Sequence, residues 1–268
     1  MTDRQHASSA AEIAKQRVRE QYGSVGNAYV QSVGHATGSD LERMVLLAEP
    51  RPTDTLIDIA TGGGHVARVF APMVASVIVS DLTPEILEHA ETYLTGLGLT
   101  NVRFEVVDAE DIPHDDGAFD IVTCRIAPHH FPNPRQFVAE VARVLKQGGR
   151  FVLVDSTVPE GEAGAFFNRF EKLRDPSHVE SLTLPAWREL LNDQDLTLVA
   201  TESFAKRHDF EDWISRSRVT VDTRMELERM LIDADPTLRH AFDVRPGADD
   251  SQPVAGFSDT KTLFVATK

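Results

Sequence analysis

The run Thr55-Leu-Ile-Asp-Ile-Ala-Thr-Gly-Gly-Gly-His-Val-Ala67 constrains this chain more than any other segment. Apolar and β-branched residues lead into three consecutive glycines, and a helical pattern starts at once. The order is strand, tight turn, helix. Glycines in such a turn let the main chain approach a ligand closely, and the first turn of the helix offers N–H groups without partners. The next strand pattern, Ser76-Val-Ile-Val-Ser80, ends in Asp81. An acid at a strand tip roughly 20 residues past a glycine turn is placed to accept hydrogen bonds from ribose hydroxyls. Gly62, Gly63, Gly64 and Asp81 together predict a bound nucleoside.

The pattern around this unit repeats it. Strands are expected at about 55–60, 76–80, 102–107, 119–124 and 150–155, and helices at 65–73, 84–95 and 134–145. Pro84 suits a first helical turn, and Gly148-Gly149 closes the last helix. Strands alternating with helices of this length form a parallel sheet covered on both faces, a doubly wound Rossmann-like α/β fold. An amphipathic helix begins at Asp40 and is stopped by Pro50 and Pro52. After Asp155 the pattern loosens. Pro159, Gly161, Gly164 and Pro176 punctuate 159–184, helical stretches recur at 185–192 and 211–232, and strand-like runs return at 196–203 and 261–267. We expect one domain over 1–268, divided into a helical cover at 1–50, a cofactor-binding core at 51–156, and a substrate cover with C-terminal strands at 157–268.

Charge narrows the partners. Lys and Arg number 27 against 42 Asp and Glu, a net charge of −15. Such a surface repels nucleic acid and anionic membranes, so a small-molecule partner is expected and neither of those is. Cys124 is the sole cysteine, which excludes a disulfide framework or a cysteine zinc cluster. It lies in an apolar strand pattern and reads as an inert buried thiol. A polar start and the lack of an apolar run near 18 residues predict a cytoplasmic protein with no leader and no membrane span. Composition says nothing of oligomeric state.

Two further acids sit on strands. Asp58 lies inside the first and is read as a carboxylate near the ligand. Asp108 ends the third, in Val106-Val-Asp-Ala-Glu-Asp111, where one acid can meet an adenine amino group. Gly62-x-Gly64-x-x-Ala67 also fits a dinucleotide-binding turn, so a nicotinamide cofactor competes at this point. A phosphate-binding loop does not, because no Gly-Lys-Ser/Thr follows.

The succession Asp58-x-Ala60-x-Gly-Gly-Gly64, Asp81, Asp108-Ala-Glu-Asp111, Phe119-Asp-Ile-Val122 and Arg143-Val-Leu-Lys-x-Gly-Gly149 resembles the class I S-adenosylmethionine-dependent methyltransferases. It is most similar to the small bacterial ubiquinone/menaquinone C-methyltransferase-like enzymes, over residues 40–156. The Val144-Leu-Lys-Gln-Gly-Gly-Arg150 run before a strand is a signature these families share and NAD-binding folds generally lack. The resemblance implies a seven-stranded sheet with the last strand antiparallel, S-adenosyl-L-methionine as cofactor, and methyl transfer to an O, N or C nucleophile. It also implies roles. Asp58, Ala60 and Gly62–Gly64 would border the methionine moiety. Asp81 would bind both ribose hydroxyls, Leu82 would pack on adenine, and Asp108 with the Ala109 N–H would meet its edge. Arg125 would lie beside the methionine tail. An N-terminal segment often covers such a cofactor, with Tyr22 and Tyr29 as candidates; His35, from the same segment, is a candidate for the acceptor. The alternatives are a nicotinamide-dependent oxidoreductase, or a protein of this fold that holds the cofactor without methyl transfer.

Arg125-Ile-Ala-Pro-His-His-Phe131 belongs to this chain alone. It follows a strand tip, where catalytic groups sit in such sheets. His129 and His130 could bind an anion, deprotonate an acceptor or chelate a metal; no third ligand is spaced to suggest a metal, so none is expected. Arg174-Asp-Pro-Ser-His178 forms a second polar knot, in which Arg174 and His178 are candidates for the acceptor. The glycines and prolines of 157–184 suit a mobile lid.

Overall fold

The computed structural model describes residues 2–23, 38–217, 219–249 and 252–268. Helices α1 (Thr2–Gly23) and α2 (Ser39–Ala48) precede β1 (Thr55–Ile59). Next come α3 (His65–Phe70), a 3-10 turn at Ala71–Met73, β2 (Ser76–Asp81), α4 (Pro84–Gly96), β3 (Val102–Val106), β4 (Phe119–Arg125), a second 3-10 turn at Pro128–His130, α5 (Pro134–Val144) and β5 (Leu145–Thr157). The remainder is α6 (Glu162–Arg174), α7 (Leu184–Asn192), β6 (Thr197–Asp209), α8 (Phe210–Ser215), α9 (Val221–Ile232), α10 (Pro236–Ala241), β7 (Arg245–Asp249) and β8 (Gln252–Thr267).

The strands lie side by side as β3-β2-β1-β4-β5-β8-β6. β1 to β5 pair in parallel, and β8 runs antiparallel to both of its neighbours. This is the expected seven-stranded sheet with its last strand reversed. Short β7 adds an eighth strand by pairing with the start of β8. Successive residues of β1 point to opposite faces, as strand geometry requires. Ile57 and Ile59 join one buried cluster with Phe137, Phe151 and Trp187; Leu56 joins the other with Met44, Phe70 and Leu94. The near-continuous apolar strands are thus explained by burial on both faces.

Several family-motif residues act in this framework. Asp120 accepts from the Thr55 N–H at 2.8 Å and from Lys146 Nζ at 2.7 Å, tying β4 to β1 and β5. Arg150 donates to the carbonyls of Leu47 and Ala48 at the end of α2, where a cation complements the helix dipole. A Cβ on Gly149 would lie 2.8 Å from the Lys146 carbonyl and 3.0 Å from that of Asp120, so only glycine fits.

Two stretches differ from the reading of the sequence. Much of 157–184 is helix rather than open connection: α6 buries Phe166, Phe167 and Phe170 in a third core with Trp213, Leu227 and Phe257. The Phe170 and Trp213 rings stack at 4.8 Å. The second difference is length. β6 and β8 run to Asp209 and back from Gln252, well beyond the apolar runs that announced them. Their extra halves carry Lys206, His208 and Asp259, polar residues that a buried-strand pattern excludes, and Lys261 opens the run at 261–267 that follows. These halves project past the carboxyl edge of the sheet and wall a cavity.

Candidate active site

Two cavities meet at the carboxyl ends of the parallel strands, where ligands bind in open α/β sheets. They share Ala60, Gly62, Ile126 and His130. Ala60 follows β1 and Ile126 follows β4, and both have positive φ, 53° and 54°. A left-handed β-branched residue is costly. At Ile126 the bend is held by its N–H on the Val154 carbonyl at 2.7 Å. No sequence signal marks Ile126 as a site residue.

The smaller cavity is built around Asp81. One of its carboxylate oxygens accepts from the Gly62 N–H at 3.1 Å and the other from the Thr83 N–H at 3.0 Å. Burial pushes this carboxyl up to about 6, against those hydrogen bonds. Leu82, Asp108, Ala109 and Glu110 line the same space. A Cβ on Gly62 would meet no protein atom within 4 Å; it would occupy the junction of the cavities, as expected of a cradle for a ligand. Gly63 lines the larger cavity. Gly64 lines neither: it takes φ +77° at the start of α3, and a Cβ there would press on Leu94. Its demand is the turn and the packing.

Lys15 of α1 was not anticipated. It reaches the second cavity and pairs with Asp108 at 2.6 Å and Glu110 at 2.8 Å. Burial alone would lower its ammonium, but the two acids hold it raised. The N-terminal helix is therefore clasped to the rim beside Ala109. Tyr29 and His35 lie outside the described residues, as does the side chain of Tyr22.

The larger cavity begins at Asp58, which is buried and accepts from Thr61 Oγ1 at 2.6 Å and Thr123 Oγ1 at 2.8 Å. Burial raises its carboxyl to about 6. Arg125 lines the cavity and grips Asp40 of α2 through two donors, at 2.5 and 3.1 Å.

Beside Arg125 the two adjacent histidines separate in role. His129 Nδ1 lies 2.6 Å from Asp155 Oδ1. A carboxylate only accepts, so Nδ1 is the donor in this contact, and the neutral imidazole with this tautomer leaves Nε2 as the acceptor. The other Asp155 oxygen is buried with no hydrogen-bond partner among the described residues. The His129 ring lines the larger cavity. An imidazole oriented by a buried carboxylate is the arrangement of a general base. His130 is buried, with Nδ1 3.2 Å from Ser177 Oγ, and Ser177 in turn donates to Asp175 at 2.5 Å. Burial, then the neighbouring His129, lowers His130 to about 4, so it is neutral.

The second polar knot supports this loop. His178 is buried, and its Nε2 lies 2.9 Å from Asn168 Oδ1; burial, His129 and His130 lower it to about 2. The Val179 and Glu180 N–H groups donate to the His129 carbonyl at 2.8 and 3.1 Å. Arg174 lines the cavity but is engaged by Glu171 at 3.0 Å and Ser217 at 3.0 Å, with its guanidinium 4.5 Å above Trp213. Among the described residues no group of three or more His, Cys, Asp or Glu side chains is placed to hold a metal ion, and no helix is long and apolar enough to cross a membrane.

The depressed histidines give a pH prediction. A histidine whose folded value lies below its ordinary 6.5 stabilises the fold fully above that pH, and the contribution is lost as pH falls toward the folded value. For His130 the window is 6.5 down to about 4, at roughly 1.4 kcal/mol per pH unit. Asp58 and Asp81, raised, act with the opposite sign between their ordinary value and about 6. The difference in denaturant stability between the unmodified protein and His130→Gln isolates the histidine. It should shrink steadily from pH 6.5 to 4; a pH-independent difference would refute a neutral His130.

Comparison with known proteins places this geometry. The family described as "Methyltransferase domain" matches residues 57–153. An uncharacterized methyltransferase, YcgJ of Bacillus subtilis, is 38% identical over 208 residues, 77% of this chain and 82% of YcgJ. A crystal structure of BH2331 from Bacillus halodurans, described only provisionally as a methyltransferase, superposes with a TM-score of 0.82 at 39% identity, over 86% of this chain and 99% of that one. A demethylmenaquinone methyltransferase of Deinococcus radiodurans is 37% identical over 119 residues, 43% of this chain and 48% of that protein. The chain belongs to the methyltransferase family, with the Rossmann-like fold of its class I members.

Proposed function

We propose that this methyltransferase takes its methyl group from S-adenosyl-L-methionine and passes it to a small-molecule acceptor in the larger cavity. One observation carries this reading: two cavities joined at Gly62, one built on a buried Asp81 and the other opening onto an imidazole. Asp81 would hold the ribose hydroxyls, Leu82 and Ala109 the adenine, and Asp58, Ala60, Gly62, Gly63 and Arg125 the amino-acid end. When bound, the cofactor supplies an electrophilic methyl group on its sulfonium. The protein's own work is alignment and exclusion of water. His129, held by Asp155, takes a proton from an acceptor that must lose one. Neutral, buried His130 fills the junction between the cavities and shapes it.

On this reading α1 covers the cofactor, 51–156 binds it, and the chain after 157 encloses the acceptor. The −15 charge favours a small molecule over nucleic acid or a membrane surface. Calorimetry tests the cofactor. S-adenosylhomocysteine should bind with micromolar or better affinity and NADH should not. Binding of NADH with S-adenosylhomocysteine excluded would overturn the proposal in favour of an oxidoreductase.

A further inference from the structure

The far wall of the larger cavity holds a charge that no side chain among the described residues pairs. On β8, Asp259 pairs in register with Lys206 of β6, and Lys261 with Ser156 of β5. Paired residues of antiparallel strands project from the same face. Ser156, Lys206, Asp259 and Lys261 therefore share one face with His208, and all five line the cavity. Lys261 Nζ donates to Ser156 Oγ at 2.5 Å and to Asp259 Oδ2 at 2.9 Å, and His208 Nε2 lies 3.2 Å from the same Asp259 oxygen. Burial alone would raise Asp259, but Lys261 and His208 hold it well below its ordinary value, so it is ionised.

Lys206 stands apart. It is half-buried, and among the described residues no hydrogen bond or ion pair joins it to another side chain. The other cations of the cavity are matched: Lys261 by Asp259, Arg125 by Asp40, Arg174 by Glu171 and Arg216 by Asp212. Burial, then the nearby Lys261, pushes the Lys206 ammonium down to about 8, so at pH 7 it still carries its charge. Lys206 and Lys261 against Asp259 leave one positive charge in a partly dry wall. A buried charge without a partner is costly, and a ligand of opposite sign relieves that cost.

We propose that this wall is the subsite for a carboxylate on the methyl acceptor, with Lys206 as its ion-pair partner and Lys261 and Ser156 beside it. The inference rests on the larger cavity being the acceptor site. One carboxylate cancels one excess charge, whereas a phosphoryl dianion would leave a negative charge over. The subsite lies in the same cavity as His129, so the acceptor would be anchored at its acid end while its nucleophile meets the base.

The probes are benzoate, its uncharged amide and phenyl phosphate, titrated with and without saturating S-adenosylhomocysteine. The readout is tryptophan fluorescence: Trp213 lines the cavity, and the other tryptophan, Trp187, is fully buried elsewhere. Benzoate should saturate and benzamide should bind at least tenfold more weakly. Lys206→Met should weaken benzoate at least tenfold with S-adenosylhomocysteine affinity retained, and Lys206→Arg, which keeps the charge, should restore most of it. Absence of benzoate binding, or equal binding by Lys206→Met and the unmodified protein, overturns the subsite. Phenyl phosphate binding tenfold tighter than benzoate overturns the carboxylate in favour of a phosphoryl group. Benzoate binding through Lys206 in a protein that ignores S-adenosylhomocysteine leaves the subsite standing and removes only the cofactor.

Discussion

Replacing His129 with alanine should lower turnover by about 10²–10⁴, the range a general base contributes, with little change in cofactor affinity. The expectation follows from two contacts. Asp155, fully buried at the end of β5, accepts from His129 Nδ1 at 2.6 Å, which fixes both the ring and its tautomer. The Val179 and Glu180 amides then fix the loop that carries it. Asp155→Asn keeps the shape but permits the opposite tautomer, so it should cost much of the same rate and displace the acidic limb of the pH–rate profile. A merely structural Asp155 would leave that profile in place. His130→Ala should act otherwise, because a buried imidazole lowered to about 4 is poorly matched to proton transfer at neutral pH. Its loss should show in stability more than in rate. Methyl release is the measurement, with any acceptor that supports it. Full turnover in the His129 variant would leave alignment alone to explain catalysis.

The parallel half of the sheet was legible because its strands obey one simple rule. Buried on both faces, they read as unbroken apolar runs, and Gly62 and Asp81 punctuate them at the strand tips that line the cavities. The other half was not, for the same physical reason. The extensions of β6 and β8 face a polar cavity, so Lys206, His208 and Asp259 interrupt the pattern that would have announced a strand. α6 was hidden behind Gly161 and Gly164, which read as loop. Gly161 does end the preceding segment with φ +76°, but Gly164 is the third residue of the helix, where a Cβ would lie 2.2 Å from the Pro159 carbonyl. Ile126 could not be found from type or spacing, since left-handed backbone at a β-branched residue has no sequence mark. In the sequence Lys15 is indistinguishable from any helical lysine; only the folded position of α1 brings it to Asp108. The histidine pair was legible as neighbours after a strand tip, but their different settings, one ring against Asp155 and the other buried beside Ser177, depend on residues distant in sequence.

Removing Asp81 should weaken S-adenosylhomocysteine binding about tenfold to hundredfold or more, and of all the substitutions toward the cofactor this one should cost the most. Ribose hydroxyls on a carboxylate form charge-assisted hydrogen bonds, each worth roughly 1.5–3 kcal/mol, and about 1.4 kcal/mol is a factor of ten. The same carboxylate also holds the Gly62 N–H at 3.1 Å and the Thr83 N–H at 3.0 Å, so Asp81→Ala frees the glycine turn as well as the ligand. Asp81→Asn removes the charge but keeps one acceptor oxygen, enough for one of the two N–H groups, so its loss of affinity should fall short of that of Asp81→Ala. pH offers an independent check. Burial places this carboxyl at about 6, so the charge that strengthens ribose binding is present above that pH and lost below it. Affinity measured by calorimetry should therefore fall between pH 7.5 and 5 in the unmodified protein. In Asp81→Asn most of that slope should vanish, leaving what Asp58, also raised to about 6, contributes from the other side of the glycine turn. Undiminished affinity in a folded Asp81→Ala protein would mean that the nucleoside is not held at the tip of β2.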